Sequence, residues 1–431
     1  MRQAVDSGVA QTLVCGGRAK LGSIASSTAL AIALLITSQL LLLAQTPEAR
    51  LRTALQAKTG AVTLPTGVIE ISREITLPAD AHDLNITGTN TTIKASSTFR
   101  GRALIILPAG KNIAIHDLSL DGNRAAFPEP LGPPPPTAML SRVVANNGIV
   151  AEGVQGLEIA SLKATEIAGF PILINGGHNI HIRDAVITDS GTLDPAGHNN
   201  GSGGVVLEEG VTDFEIVHAL VGKIRGNGIW IRSASSGAAV TAARGVISDS
   251  EFTILARAAI ELSHATAITI ENNTGHMIGF PGEEAVTSGA VLPTAISASG
   301  SVDHVAIRNN SFDEIAGRCL TLEGFNDGEV TGNTCAEDLF NAFVIRGTGN
   351  HITANHLTDL NHAHRDQPES LRAGIYLAVG ASGNTLDGND ISGYGMAQHC
   401  VGGPALDANK LSKNLCSDGA SVARLQPAIP R

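Results

Sequence analysis

Asn273, Asn310, Asn333, Asn355, Asn389 and Asn414 stand in one local frame: an apolar or β-branched residue, a turn-like Asn, then a short apolar stretch, as in ITIENNTG, VAIRNNSF and ITANHL. The intervals are 37, 23, 22, 34 and 25 residues. A period near 23, with some intervals longer, is what a solenoid gives when some of its coils carry loop insertions. Asn tolerates the left-handed backbone of a tight corner, and its amide can bond the Asn of the coil above. The chain is therefore expected to be a stack of similar coils, with its function on the outer face of the stack and in the insertions.

Composition fits this reading. The 48 glycines and 18 prolines punctuate short runs of Val, Ile, Leu and Thr, and stretches with a helical period are nearly absent after residue 60. A chain of 431 residues would ordinarily split into domains, but a solenoid grows in one dimension and needs no split. The net charge of −11, without clustered Lys and Arg, argues against a nucleic-acid partner, which would call for a basic stripe.

Residues 21–44 are apolar, carry no charge and follow Arg2, Arg18 and Lys20. The run is long enough for a bilayer core of about 30 Å, so residues 1–44 read as a signal peptide or an uncleaved signal anchor. The expected location is secreted, periplasmic or cell-surface, with membrane contact only through this segment. Cys15 precedes the run, while Cys319, Cys335, Cys400 and Cys416 form an even set in an exported chain. A Cys400–Cys416 disulfide clamping the last coils is the preferred pairing; buried free thiols are the alternative.

The period changes at residues 47–78. PEARLRTALQA reads as a short amphipathic helix with Leu51, Ala54 and Leu55 on one face, followed by strand-like VTLPTGVIEI. Such a helix would cover the first coil and block edge pairing. Helix, Gly, VTLPTGVIEIS and ITLP, then LNITGTNTTI and IHDLSLDGNR, resemble the opening of the pectate-lyase-like superfamily. That resemblance covers roughly residues 50–418. It implies an all-β, right-handed parallel β-helix of about 12 coils with an N-terminal capping helix. The divisions are then a cap over 45–66, the β-helix over 67–418 and a tail over 419–431. The resemblance leaves activity open, because the superfamily contains lyases, hydrolases, epimerases, phage tailspikes and non-enzymatic proteins. It also implies that Asp121, Asn123 and Arg124 of DGNR form a structural turn.

Aligning the coils by their apolar pattern gives one strand in each, among them IWIRS, IELSH and LTLEG. Ile229 with Ile231, Ile260 with Leu262, and Leu320 with Leu322 face inward, and alternate residues face out. The outward positions make two columns. One is Leu173, Val206, Trp230, Glu261, Ser297, Thr321, Val344 and Tyr376; the other is Glu152, Asn175, Glu208, Arg232, Ser263, Ser299, Glu323 and Arg346. Insertions 122–140, 190–203, 279–293 and 361–372 enter at one corner before this strand. They are expected to wall a groove floored by both columns.

Two chemistries suit such a groove. A glycosidase needs two carboxylates, one with raised pKa. Glu208 and Glu261 are the pair available, although Glu208 with Arg232, and Glu323 with Arg346, are equally readable as cross-coil ion pairs on a solvated face. Trp230 could stack on a sugar or cap an apolar patch. A polysaccharide lyase needs a base and a cation that neutralises a uronate carboxylate. Arg225, Arg257, Arg318, His198, His362, His364 and Arg365 are the basic groups, and Arg257 and Arg318 fall close to one corner position. Asp189, Asp194, Glu283 and Glu284 carry the oxygens that Ca²⁺ would want. The paired-Asp and YG…DPH patterns of related hydrolases and epimerases are absent from the sequence. The expected function is a carbohydrate-active enzyme, lyase or hydrolase, on a polysaccharide or oligosaccharide. A non-catalytic glycan-binding or surface protein is the alternative, and a metal-handling protein would need His198, His356, His362 and His364 to converge.

Overall fold

The computed structural model describes residues 46–127, 134, 135, 137–194, 197, 199, 201–233, 241–280, 292–360, 373–392 and 400–417. Short β-strands separated by corners wind repeatedly through the same positions, and every ladder pairing between coils is parallel. One coil consists of Asn147–Glu152, Gln155–Ala160 and Lys163–Thr165; the next, Ile172–Asn175, His178–Arg183 and Val186–Thr188, pairs with it strand for strand. Following one inward position along the pairings gives Ile75, Ile105, Ile149, Ile172, Val205, Ile229, Ile260, Ile296, Leu320, Phe343, Ile375 and Val401. That is twelve turns of a parallel β-helix, the number expected. Each of these side chains is no more than 1% exposed, and such burial contributes about 1.5–3 kcal/mol for an Ile or Leu.

The helix Pro47–Ala54 lies against the first coil and buries Leu51, and Leu55, in the turn that follows, is buried as well. Arg52 donates to the carbonyls of Glu74 and Arg73 at 3.0 and 2.6 Å, and Gln56 to that of Thr76 at 3.1 Å. These are carbonyls of the outermost strand, so at residues 73–76 side chains take the place of a preceding coil and cap that part of the edge. No described helix is long and apolar enough to cross a membrane; residues 21–44 and 419–431 lie outside the described residues.

The asparagine frame is a continuous hydrogen-bonded ladder. The Asn273 backbone N–H and Nδ2 both donate to Asn310 Oδ1 at 3.0 Å, and the same double contact links Asn310 to Asn333, Asn333 to Asn355, Asn355 to Asn389 and Asn389 to Asn414. The ladder asparagines do not themselves take the left-handed backbone that the sequence suggested. The residue before each does: Asn272, Asn309, Gly332, Ala354, Gly388 and Lys413, with φ between 52° and 67°. The corner turns one residue early, which frees the following side chain to point inward where its amide is shielded from water. A second ladder joins Asn350, Asn384 and Asn409.

Cys400 and Cys416 are bonded, as are Cys319 and Cys335, with Cα separations of 6.0 and 6.1 Å. The DGNR segment forms the expected turn: the Asn123 N–H donates to Asp121, and Arg124 pairs with Glu166 at 3.2 Å.

Candidate functional site

The outward positions stack as the apolar pattern implied. Leu173, Val206, Trp230, Glu261, Ser297, Thr321, Val344 and Tyr376 succeed one another across paired strands. Glu152, Asn175, Glu208 and Arg232 do the same in the second column, and Glu323 pairs with Arg346 further along.

The upstream half of this face is not a groove, which corrects the expectation that both columns floor one. The insertion ending at residue 140 folds back as a short helix, Leu140–Val143, and lays Leu140 onto Val150, Leu173 and Val206, all fully buried. Glu208 holds the start of that helix: its carboxylate accepts the N–H groups of Leu140 and Ser141 at 2.9 and 2.8 Å. Arg232 pairs with Glu208 at 3.2 Å and donates to the Ala138 carbonyl at 3.0 Å. Asn175 bonds the Ser141 hydroxyl, and Glu152 pairs with Arg142 at 3.5 Å. Glu208 and Arg232 are therefore a buried clasp under a loop and not an ion pair on a solvated face. Burial pushes the Arg232 pKa down from its usual value, against the Glu208 and Glu209 carboxylates, which favour the charged form.

The open part of the face begins at Trp230, in a cleft of about 380 Å³. Pro134, Pro135 and Leu140 of the first insertion and Asn199 and Gly201 of the second form one wall, and Asn227, Trp230, Arg257, Glu261, Ser263 and His264 lie along the floor and rim. The two insertions touch, since a Cβ on Gly201 would stand 2.5 Å from Pro134 Cδ. They converge as expected; the insertions at 279–293 and 361–372 fall almost wholly outside the described residues.

Trp230 is half-buried, with the Arg232 guanidinium 4.9 Å from its ring centroid, so the cation occupies one approach to the indole. The neighbouring Glu261 is partly exposed and anchored by one oxygen, which accepts from Asn227 Nδ2 at 2.7 Å. Asn227 is itself fixed, because its Oδ1 accepts the Ala258 N–H at 3.1 Å. The arrangement aims one carboxylate into the cleft and leaves its second oxygen for a ligand. Arg257 lines the same cleft without a side-chain partner among the described residues. His264, which sequence reasoning did not single out, stands at the rim in a left-handed conformation (φ 57°), and its ring fills the space beside Gly300, where a Cβ would lie 2.8 Å from Cε1. The signal was IELSH, a His closing a floor strand one coil above a glycine.

Other candidates lie apart. Asp189 occupies a left-handed corner (φ 50°) away from the cleft. Arg225 is behind the wall, where its carbonyl accepts from Asn199. Glu323 pairs with Arg346 at 3.4 Å on the open surface, as one reading of the sequence held. Arg257 and Arg318 are one position out of register, three residues before Ile260 and two before Leu320, which themselves align through Ile296. Burial pushes the Arg318 pKa down, while Glu323 and Tyr376 favour its charge. His198, His362, His364, Arg365, Glu283 and Glu284 lie outside the described residues, among which no three His, Cys, Asp or Glu side chains gather to hold a metal ion. A second hollow of about 550 Å³, lined by Phe280, Ile315, Leu339 and the like-charged Glu314, Glu337 and Asp359, is at another corner and contains none of the candidates.

A family model described as a right-handed beta helix region matches residues 294–423. The chain has the right-handed β-helix fold. No curated protein matches it in sequence. Among solved structures, this β-helix is similar to a family 28 exopolygalacturonase of Yersinia enterocolitica, at a TM-score of 0.58 and 12% identity over 86% of this chain and 75% of that one. PfbA, a surface adhesin of Streptococcus pneumoniae, is similar at a TM-score of 0.57 and 12% identity over 89% and 91%. A DFA-IIIase of Arthrobacter chlorophenolicus is similar at 0.53 and 13% over 79% and 88%. At these identities the likeness is one of fold.

Proposed function

We propose that this β-helix is an exported carbohydrate-active protein that takes a polysaccharide or oligosaccharide in the cleft at Trp230, with Glu261 and Arg257 as its working groups. The observation that carries the reading is a half-exposed carboxylate, oriented by a fixed Asn227, beside an indole and a guanidinium that has no side-chain partner among the described residues. An indole edge offers apolar contact to a sugar ring, and Arg257 suits an acidic one. The similarity to an exopolygalacturonase and a DFA-IIIase is consistent with a saccharide ligand.

Within that reading the chemistry favours elimination over two-carboxylate hydrolysis. Hydrolysis needs a second acid facing the first, and among the described residues lining the cleft Glu261 is the one carboxylate, Glu208 being spent beneath the loop. Elimination asks for a cation against a uronate carboxylate and a group that moves a proton, roles open to Arg257 and to Glu261 or His264. The second reading, a glycan-binding protein without turnover, is favoured by the similarity to a surface adhesin along nearly its whole length.

The test is a screen of the exported part of the chain on uronate and neutral polymers, following unsaturated ends by absorbance and new reducing ends in parallel. A lyase raises both signals, a hydrolase the second alone, and a binder neither while still being retained on the polymer. Glu261→Gln preserves the Asn227 contact and should abolish turnover without unfolding the chain. A variant as fast as the wild type removes Glu261 from the chemistry.

A further inference from the structure

The face that carries the cleft is continuous over the coils, but its exposure is not. Val150, Leu173 and Val206 point outward, yet each is 0% exposed, packed in one apolar cluster with Leu140 and Phe170. Their successors Trp230, Glu261, Ser297 and Thr321 are half-exposed, and then Val344 and Tyr376 are nearly buried again, at 7% and 9%. Open floor thus spans four coils, or three steps of about 4.8 Å, about 14 Å in all. The upstream end is a built wall. Asn175, Glu208 and Arg232, one from each of three successive coils, all bond the segment that carries Leu140, and the Arg102 guanidinium adds a bond to the Ser141 carbonyl at 3.1 Å. A glycan lying along the coils therefore meets Leu140 one coil above Trp230.

On the carbohydrate reading of this site, we infer that the cleft takes a glycan by its terminus and excludes internal segments of a long chain. A chain passing through would have to displace Leu140 and expose the apolar patch beneath it, together with the buried Glu208 and Arg232 charges. Such charges are costly to leave without their partners. A free end needs none of this: its last residue can stop against Leu140, with Trp230, Arg257 and Glu261 beside it.

Trp230 is the single tryptophan of the chain, so its emission reports on this cleft alone. Wild-type protein is titrated with tetragalacturonate and polygalacturonate, and with tetramannuronate and polymannuronate, each pair compared by mass. The expected result is that the polymer needs a larger mass for half-saturation than its tetramer, by the ratio of their chain lengths, because only ends count. Equal half-saturating masses would mean that internal segments bind; that overturns the inference and leaves the carbohydrate reading standing. Failure of all four sugars to change the emission rejects that reading and this inference with it. Leu140→Ala, which trims the wall without touching the buried charges, should bring the polymer towards its tetramer; an unchanged ratio, with acrylamide showing Trp230 newly accessible, would show that Leu140 is not the stop.

Discussion

Glu208 and Arg232 sit on adjacent coils with their charged ends 3.2 Å apart, 0% and 5% exposed, and between them they bind three backbone groups of a loop whose anchor points lie far away in the sequence. The pair is a fastener, because its hydrogen bonds run to the loop as well as to each other. Its worth therefore lies in what is lost when one member goes.

Glu208→Ala should lower stability by about 3–5 kcal/mol, the usual cost of leaving the other charge of a buried pair unmatched. Urea unfolding measures this, and acrylamide quenching of Trp230 should rise in the folded variant as the loop lifts. A loss below about 1 kcal/mol, typical of an exposed pair, would contradict the clasp.

Asn333→Ala should be far more damaging than Asn414→Ala. Asn333 gives Nδ2 to the Ile307 carbonyl and to Asn355 Oδ1, and its own Oδ1 receives both donors of Asn310, all in a buried corner. Each buried donor left without a partner costs about 1–3 kcal/mol. Asn414 ends the ladder and is partly solvated, so water can substitute. Hydrogen exchange at the Asn310 and Asn333 amides checks the prediction, and equal protection in the two variants would refute it.

Asp338 occupies a core position, following Leu255, Ile278 and Ile315 in register, and among the described residues its carboxyl oxygens meet no closer partner than the Cys319 backbone, which is not in good hydrogen-bond geometry. Burial pushes its pKa well above the usual carboxylate value, and the nearby Cys319 backbone offsets only part of this. A carboxyl whose folded pKa lies above its unfolded value binds its proton more tightly when folded. Its contribution is thus fully present below the unfolded value of about 3.9 and is lost as pH rises towards the folded pKa. Asp338→Asn keeps the shape and removes the titration. Relative to this variant, the wild type should lose stability as pH rises above about 3.9, and parallel stability profiles would disprove the assignment.

Reduction of Cys400–Cys416 should free the last described coil, which this bond ties to itself. Closing a loop of this length contributes about 3 kcal/mol in the chain-entropy model. Exchange at Leu411 and Leu415 should accelerate in Cys400→Ser, while the Asn310 region stays protected.

What could be read in the sequence was what repeats. The Asn frame, the inward Ile and Leu positions and both outward columns recur at coil spacing, so one coil reports on the next. The second ladder was equally visible, since Asn350, Asn384 and Asn409 each precede Asn355, Asn389 and Asn414 by five residues. The seat of Leu140 was not, because it depends on Glu208, 68 residues away, and no local pattern marks a loop that folds back. The same holds for Asn227 orienting Glu261 from the previous coil, and for the one-residue offset of Arg257 from Arg318, which only pairing could fix.

Along the ladder, Asn273 and Asn310 are separated by 37 residues and Asn310 and Asn333 by 23, yet the side-chain contacts are 3.0 and 2.9 Å. Contour length and spatial step are thus uncoupled at this corner. The closure cost of the extra chain grows only slowly with its length. An insertion can therefore lengthen a coil without altering the step to the next one, although a loop such as the one carrying Leu140 must also match the side chains of the coils beneath it.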